Sequence, residues 1–208
     1  MKNKGKKKNK VLKIFLIIIA TILALIAISH TTITIKTFVN YDYNVKVWKE
    51  YNHTGIINNQ WDFKKLKYGF GNVGANGCGA VSVYNILQME GKNPDFPLII
   101  KQFDLCGENV FGIAGSKPSR VIRVLKKYGF NVSYSANKSK FEDIAKNSKY
   151  SIYVYFGIKD FVPFGHYQLI YNFDGEKFDT INITGKYTYK EITDIDNTFF
   201  TMMIGINV

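Results

Sequence analysis

Acidic charge is missing from the start of this 208-residue chain, where no Asp or Glu precedes Asp42. A second absence overlaps the first, for no Asp, Glu, Lys or Arg occurs between Ile14 and Ile35. Histidine and cysteine are scarce, with three and two copies respectively. His30, His53 and His166 are too scattered, and Cys78 and Cys106 too far apart, to set up a zinc site. A glycine-rich phosphate loop and internal repeats are both absent, and the only low-complexity tract is the basic N-terminus. The composition therefore implies no metal and no other cofactor. What remains is 46% hydrophobic and 15% aromatic, enough to build one packed domain with accessory segments.

A formal net charge of +12 would suggest a nucleic-acid partner if it were spread over a domain. Seven of the 28 basic residues are lysines within the first 13 positions, which leaves 21 against 16 acidic residues for the rest. The excess is thus largely a terminal tag, and no nucleic-acid binding is expected. Directly after it, Ile14 to Ile28 is almost wholly apolar, and the uncharged stretch to Ile35 supplies the roughly 20 residues a helix needs to cross a bilayer. Lysines on the N-terminal flank favour a cytoplasmic N-terminus and an outward-facing C-terminal domain. A cleaved secretory signal shares the basic start and apolar middle. The apolar run is long for that, and Ile26-Ala27-Ile28-Ser29-His30 is a poor cleavage site, so an uncleaved anchor in the cell membrane is the expectation. Either reading exports the domain.

The expected organisation is a basic cytoplasmic tail over residues 1–13, a transmembrane anchor over 14–35, a juxtamembrane segment over 36–55 and a domain over 56–208. Tyr41, Tyr43, Trp48 and Tyr51 lie in the juxtamembrane stretch without clear period. Within the domain, apolar spacing predicts a helix from Cys78 to Glu90 that stops at Gly91, and another from Ser119 to Tyr128 that stops at Gly129. Shorter helices are expected at Pro97 to Phe103 and Phe141 to Lys149. The character then changes to β-rich segments at Ser151 to Gly157, His166 to Tyr171, Lys177 to Ile183 and Phe199 to Val208. Asp174-Gly175 is a hairpin signal between the second and third of these. Helices first and antiparallel strands second make an α+β fold.

Cys78 sits in Gly77-Cys78-Gly79-Ala80, where a small-residue turn breaks into a helix. Unpaired N–H groups and the dipole at a helix start favour a thiolate, so a lowered thiol pKa is expected there. His166 is the sole histidine inside a strand-like part of the domain, which makes it the candidate base. A third group should hold the imidazole in one tautomer and orientation. After the Asp174-Gly175 turn the chain returns toward the start of the His166 strand, bringing back Asn182. Asp179 competes for the same role but pairs farther from His166.

Asn59-Gln60-Trp61-Asp62, Lys67-Tyr68-Gly69, Gly77-Cys78-Gly79-Ala80 and Gly165-His166-Tyr167-Gln168-Leu169-Ile170 resemble the signatures of papain-superfamily cysteine peptidases related to the bacteriocin-processing, double-glycine leader peptidases. The similarity spans roughly residues 56 to 185. It implies a papain-like fold in which the cysteine-bearing helix packs on the antiparallel sheet that carries the histidine. It also implies peptide or protein substrates, Cys78 as nucleophile, His166 as base, and an orienting Asp or Asn about 16 residues later, where Asn182 stands. A glutamine upstream of the cysteine is implied as an oxyanion donor. Gln60 has the residue type but is separated from Cys78 by an insertion, whereas Asn72 occupies the position six residues before Cys78. Ala80-Val81 replaces the Pro-Thr or Pro-Ser common in relatives.

Competing readings attach to each residue. Cys78 could pair with Cys106 in a disulfide, since an exported domain meets an oxidising environment. The glycines beside Cys78 are read as giving access to the thiol rather than as serving packing. The whole domain could also be a catalytically inactive papain-like binding or accessory protein at the cell surface.

Overall fold

Forty-nine consecutive residues, Asn3–Tyr51, form a single helix, α1, in a computed structural model that describes residues 3–104, 115–182 and 184–208. The first part of α1 is apolar and long enough to cross a membrane, and Leu16, Ile17, Leu23, Leu25 and Ile26 are all more than half exposed. Hydroxyls inside this stretch are satisfied within the helix: Thr21, Ser29, Thr31, Thr32 and Thr34 each donate to the carbonyl four residues back at 2.8–2.9 Å. Such back-bonding lets a hydroxyl sit in an apolar setting without an orphaned donor.

The helix does not end with the apolar run. Thr37, Asn40, Asn44 and Val47 are buried, and their spacing of three and four residues traces one helical face. Three of the four are polar, which is why hydrophobic periodicity does not announce the face. Each has a partner. Asn40 donates to the Gly69 carbonyl at 3.1 Å and to Asp104 Oδ2 at 3.2 Å, and Thr37 Oγ1 donates to the Asp104 carbonyl at 3.4 Å. Above them Trp48 enters an aromatic cluster with Phe63, Tyr84 and Phe96, with ring centroids 5.1–5.7 Å apart. Residues 37–51 thus belong to the folded body.

A short antiparallel pair, β1 (Lys67–Tyr68) and β2 (Gly71–Asn72), leads into the one-turn helix α2 (Val73–Asn76) and then α3 (Cys78–Met89). Two buried asparagines hold the chain before it. Asn85 accepts from Ile57 N at 2.8 Å and donates to the Ile57 carbonyl at 2.9 Å. Asn44 does the same for Lys67 at 2.7 and 2.9 Å. Each amide acts as a one-residue strand, satisfying both backbone groups of an otherwise irregular segment. Helices α4 (Phe96–Asp104) and α5 (Pro118–Lys127) flank α3, close to their expected positions.

The second half is a six-stranded antiparallel sheet of β3 (Asn131–Ser135), β4 (Tyr150–Lys159), β5 (Val162–Tyr171), β6 (Lys177–Ile181), β7 (Gly185–Thr188) and β8 (Thr198–Asn207), in the order β3-β8-β4-β5-β6-β7. A short α6 (Phe141–Lys146) precedes β4 and α7 (Tyr189–Thr193) follows β7. The Asp174-Gly175 turn forms as expected, with Asp174 Oδ1 accepting from the Glu176 and Lys177 amides and Gly175 at φ +107. Strands β3 and β7 are absent from the sequence expectation, since neither shows a run of apolar residues. The sheet separates two cores. Tyr167, Leu169, Ile152 and Val154 pack with α3, and Tyr153, Tyr155, Ile170 and Phe178 form the opposite side with Phe141 and Ile192. An α+β fold with the cysteine helix on an antiparallel sheet is what the chain adopts.

Because Asn85 is fully buried, replacing it by Ala leaves the Ile57 N–H and C=O unpaired, at about 1–3 kcal/mol for each group. Asn85→Ala is expected to lower stability by roughly 2–4 kcal/mol in denaturant titration of the detergent-solubilised chain. Asn44→Ala should cost less, because Lys67 is exposed.

Candidate active site

Cys78 opens α3, with Gly77 as N-cap and no side-chain cap, so the first amides of the helix are free of a competing side chain. The flanking glycines have a packing explanation that reverses the expectation of access. A Cβ on Gly77 would lie 2.8 Å from the Val73 carbonyl oxygen, and one on Gly79 would lie 2.8 Å from Ser116 Oγ. Neither glycine has a positive φ assigned; close approach is what demands them. The thiol they bracket is 5% exposed and free. Cys106 lies outside the described residues.

The strand β5 delivers His166 to this thiol's surroundings. The backbone N–H groups of Tyr167, Gly79 and Cys78 favour the thiolate, so the sulfur lies near the residue that follows His166. Successive strand residues point to opposite faces. Tyr167 and Leu169 turn toward α3. His166 instead shares the face of its cross-strand partner Tyr155, whose ring centroid is 6.0 Å from the imidazole. Tyr155 also feels the charge of a Cys78 thiolate, which together with burial raises its pKa to about 12.

The return strand carries Asp179, and Asn182 stands at its end. Leu169 pairs with Ile181, Ile170 with Thr180 and Tyr171 with Asp179. His166 lies on the face of Gln168 and Ile170, and Asn182 follows Ile181 directly, beyond the paired residues. Asp179, opposite Tyr171, falls on the other side and is bonded to Asn172 Nδ2 at 2.6 Å. Asn182 itself sits just beyond β6 at φ +78, a left-handed conformation that asparagine tolerates better than most residues. Its Nδ2 and Oδ1 and the Nε2 of His166 are all buried without a hydrogen-bond partner among the described residues. Buried polar atoms left without partners are costly in a native fold.

Gln60 and Asn72 approach the Cys78 turn from the other side. Gln60 lies in a 3₁₀ turn, Gln60–Phe63, and donates from Nε2 to the Gly74 carbonyl at 2.7 Å. The amide nitrogen carries a second hydrogen, and its Oε1 is buried without a partner. Asn72 caps α2, accepting from the Ala75 amide at 3.0 Å. Its side chain is committed to local structure in a way that Gln60 is not.

Electrostatics depart from the expected activated thiolate. Burial is the largest influence on Cys78 and lifts its pKa to about 11, outweighing the three N–H donors. Burial likewise depresses His166 to about 4. Both groups are neutral at pH 7, because enclosure disfavours a charge on either. The helix-start argument is correct about the donors and wrong about the sum.

Some features have no counterpart in the sequence reading. Gln168 is buried, donates to the Ile181 carbonyl at 2.9 Å and leaves Oε1 without a partner. It borders, with Tyr155, Thr180 and Tyr187, a cavity of about 150 Å³ on the His166 side of the sheet. Strand parity counted from His166 picks out Gln168, but only the pairing register brings Tyr155 and Thr180 beside it.

No family model matches the chain, and no curated protein matches it. Among solved structures it is similar to the peptidase domain of Streptococcus ComA, described as a bifunctional ABC transporter involved in a quorum-sensing pathway. The identity is 14% over 62% of this chain and 89% of that one, with a TM-score of 0.44. The peptidase domain of Streptococcus mutans ComA, in complex with a small-molecule inhibitor, is 10% identical over 64% of this chain and 93% of that one, with a TM-score of 0.40.

The depressed His166 value carries a stability consequence. Between its ordinary value of 6.5 and about 4, the unfolded chain binds a proton that the native one does not, so stability falls as pH falls through this window. The loss expected by pH 4 is about 3 kcal/mol from this group, and His166→Gln should remove that part of the slope. Denaturant midpoints measured from pH 7 to pH 4 test it.

Proposed function

We propose that the chain is a membrane-anchored, extracytoplasmic thiol peptidase in which Cys78 is the nucleophile, His166 the general base and Asn182 the group that orients His166. The observations that support this reading are a free, buried thiol near the Tyr167 amide, the residue next to His166, and the buried, unpartnered Nε2 of His166 and amide of Asn182. The imidazole takes the thiol proton as sulfur attacks the peptide carbonyl. The C–S bond forms while the carbonyl π pair moves onto oxygen. That oxyanion is held by the Cys78 backbone N–H and the second Nε2 hydrogen of Gln60. Collapse breaks the C–N bond, with the imidazolium proton leaving on the amine. Water, deprotonated by the same imidazole, then hydrolyses the thioester and restores the thiol. Asn182 Oδ1 accepts from His166 Nε2–H once the two close, fixing the tautomer that leaves the other ring nitrogen to work as base.

Gln60 is preferred to Asn72 as the oxyanion donor because the Asn72 side chain is occupied as a cap. The two roles separate by mutation. Gln60→Ala is expected to lower kcat about 10²–10³-fold with the fold intact, whereas Asn72→Ala should cost about 1 kcal/mol of stability.

The anchor is the apolar part of α1, with the lysine-rich end cytoplasmic and the domain outside. Substrates are peptides or proteins on the outer side, and amide transfer to an acceptor amine would use the same groups. A second reading, a catalytically inactive surface-binding or accessory protein, is favoured by the neutral, enclosed thiol and imidazole.

The deciding experiment is incubation of the detergent-solubilised chain with a peptide library, reading new peptide termini by mass spectrometry. Wild type should generate termini and Cys78→Ala none; a wild-type chain that generates none supports the accessory reading. If the neutral pair is the active form, kcat/KM should rise with the His166 value near 4 and fall with the Cys78 value near 11. A broad plateau between those limits is the expected pH profile.

A further inference from the structure

Lys36 is the first charged residue after the apolar run, and it does not stand alone. Its ammonium lies 3.7 Å from the centroid of the Phe70 ring, on the turn between β1 and β2, and Phe70 is 60% exposed. Lys101 of α4 reaches the rings of Phe38 and Tyr41 at 4.2 and 4.3 Å, and Lys67 lies 5.7 Å from the Tyr43 ring. Ile35, Phe38 and Val39 are all at least half exposed. Aromatic rings interleaved with lysines, encircling a helix at the point where it ceases to be apolar, have the composition of a membrane interface. Three of these groups, Lys67, Phe70 and Lys101, come from other parts of the fold.

We infer that the β1–β2 turn and the adjoining face of α4 rest on the headgroups of the bilayer that α1 crosses, with anionic lipid as the preferred surface. This inference depends on the anchor reading above. Ile14 to Ile35 spans roughly 33 Å as a helix, which matches a hydrocarbon core of about 30 Å and leaves Lys36 and Phe70 at its edge. Lys36 and Lys101, the lysines nearest the end of the apolar run, are each worth about 1 kcal/mol near an anionic surface. No linker separates anchor from domain, since α1 runs unbroken from one into the other, and Asn40, Asn44 and Asp104 fasten the β1–β2 turn to its side.

The height of the thiol follows from these attachments. Asn44, which grips Lys67, is about 12 Å up the helix from Lys36. Lys67 pairs with Asn72, and the mostly helical path from there to Cys78 adds at most about 10 Å. With about 5 Å for each of the Asn44–Lys67 and Lys67–Asn72 steps, the thiol is held within roughly 35 Å of the headgroup plane. The bonds within its reach are those in peptide segments lying on the membrane or emerging from it, rather than in substrates far above the surface.

The test uses the full chain reconstituted in vesicles of phosphatidylcholine, with and without phosphatidylglycerol, whose acyl chains are brominated near the headgroup end. Phe70→Trp is compared with Phe161→Trp at the β4–β5 hairpin tip, where the native side chain is 98% exposed, each measured against the parent with Trp48 and Trp61. Trp at 70 is expected to shift to shorter wavelength and lose emission to bromine, more so with phosphatidylglycerol, while Trp at 161 does neither. Lys101→Glu should reduce the phosphatidylglycerol effect. Flotation with the vesicles separates the two failures. A chain that floats while Trp at 70 stays unquenched, or while Trp at 161 is quenched instead, overturns the docking inference and leaves the anchor standing. A chain that does not float overturns the anchor, and the docking with it.

Discussion

The contact between the start of α3 and the middle of β5 is the constraint on which the rest of this structure depends. Ten consecutive residues of α3, Cys78 to Leu87, are buried, so the helix is walled in on every side rather than along one stripe. Its first turn has Gly77 and Gly79 because Val73 and Ser116 leave no room for a Cβ. Its far end is tied to the sheet through Glu90, which accepts from the Tyr150 hydroxyl and pairs with Lys149 at 2.7 Å. Fixing both ends sets the helix along β5 and puts the thiol beside the Tyr167 amide, next in sequence to His166.

That enclosure has an electrostatic cost. A thiolate and an imidazolium are each disfavoured where water is excluded, and the two shifts run in opposite directions for the same reason. The pair is a neutral thiol and a neutral imidazole, with the unpartnered atoms of His166 and Asn182 as the visible strain. Several buried polar groups of the scaffold are, by contrast, paired. Asn40, Asn44, Asn85 and Asp104 all have partners, and these bonds join α1, the β1–β2 pair and the Gln60 segment into one body.

Much of this was legible from the chain alone. The helices at Cys78, Pro97 and Ser119 announced themselves because their buried faces are apolar at helical spacing and glycines end two of them. The strands at Ser151, His166 and Phe199 did so because β-branched and aromatic residues crowd them. The lower half of α1 did not, since its inward face is Thr37, Asn40 and Asn44, and hydrogen bonding rather than hydrophobic burial holds it. Strands β3 and β7 were hidden for a related reason: an edge strand buries few side chains, and Asn131–Ser135 turns only Val132 fully inward.

The sequence by itself determined the elements, the apolar run with its basic flank, and the candidates Cys78, His166 and Asn182, because each is a local property of residue type and spacing. Only the tertiary structure decided the order of the strands, including the insertion of β8 between β3 and β4. It alone decided the commitment of Asn72 to a helix cap and the sign of the Cys78 shift. These depend on pairing register and on exclusion of water. Both are set by residues distant in sequence, and no local pattern records them.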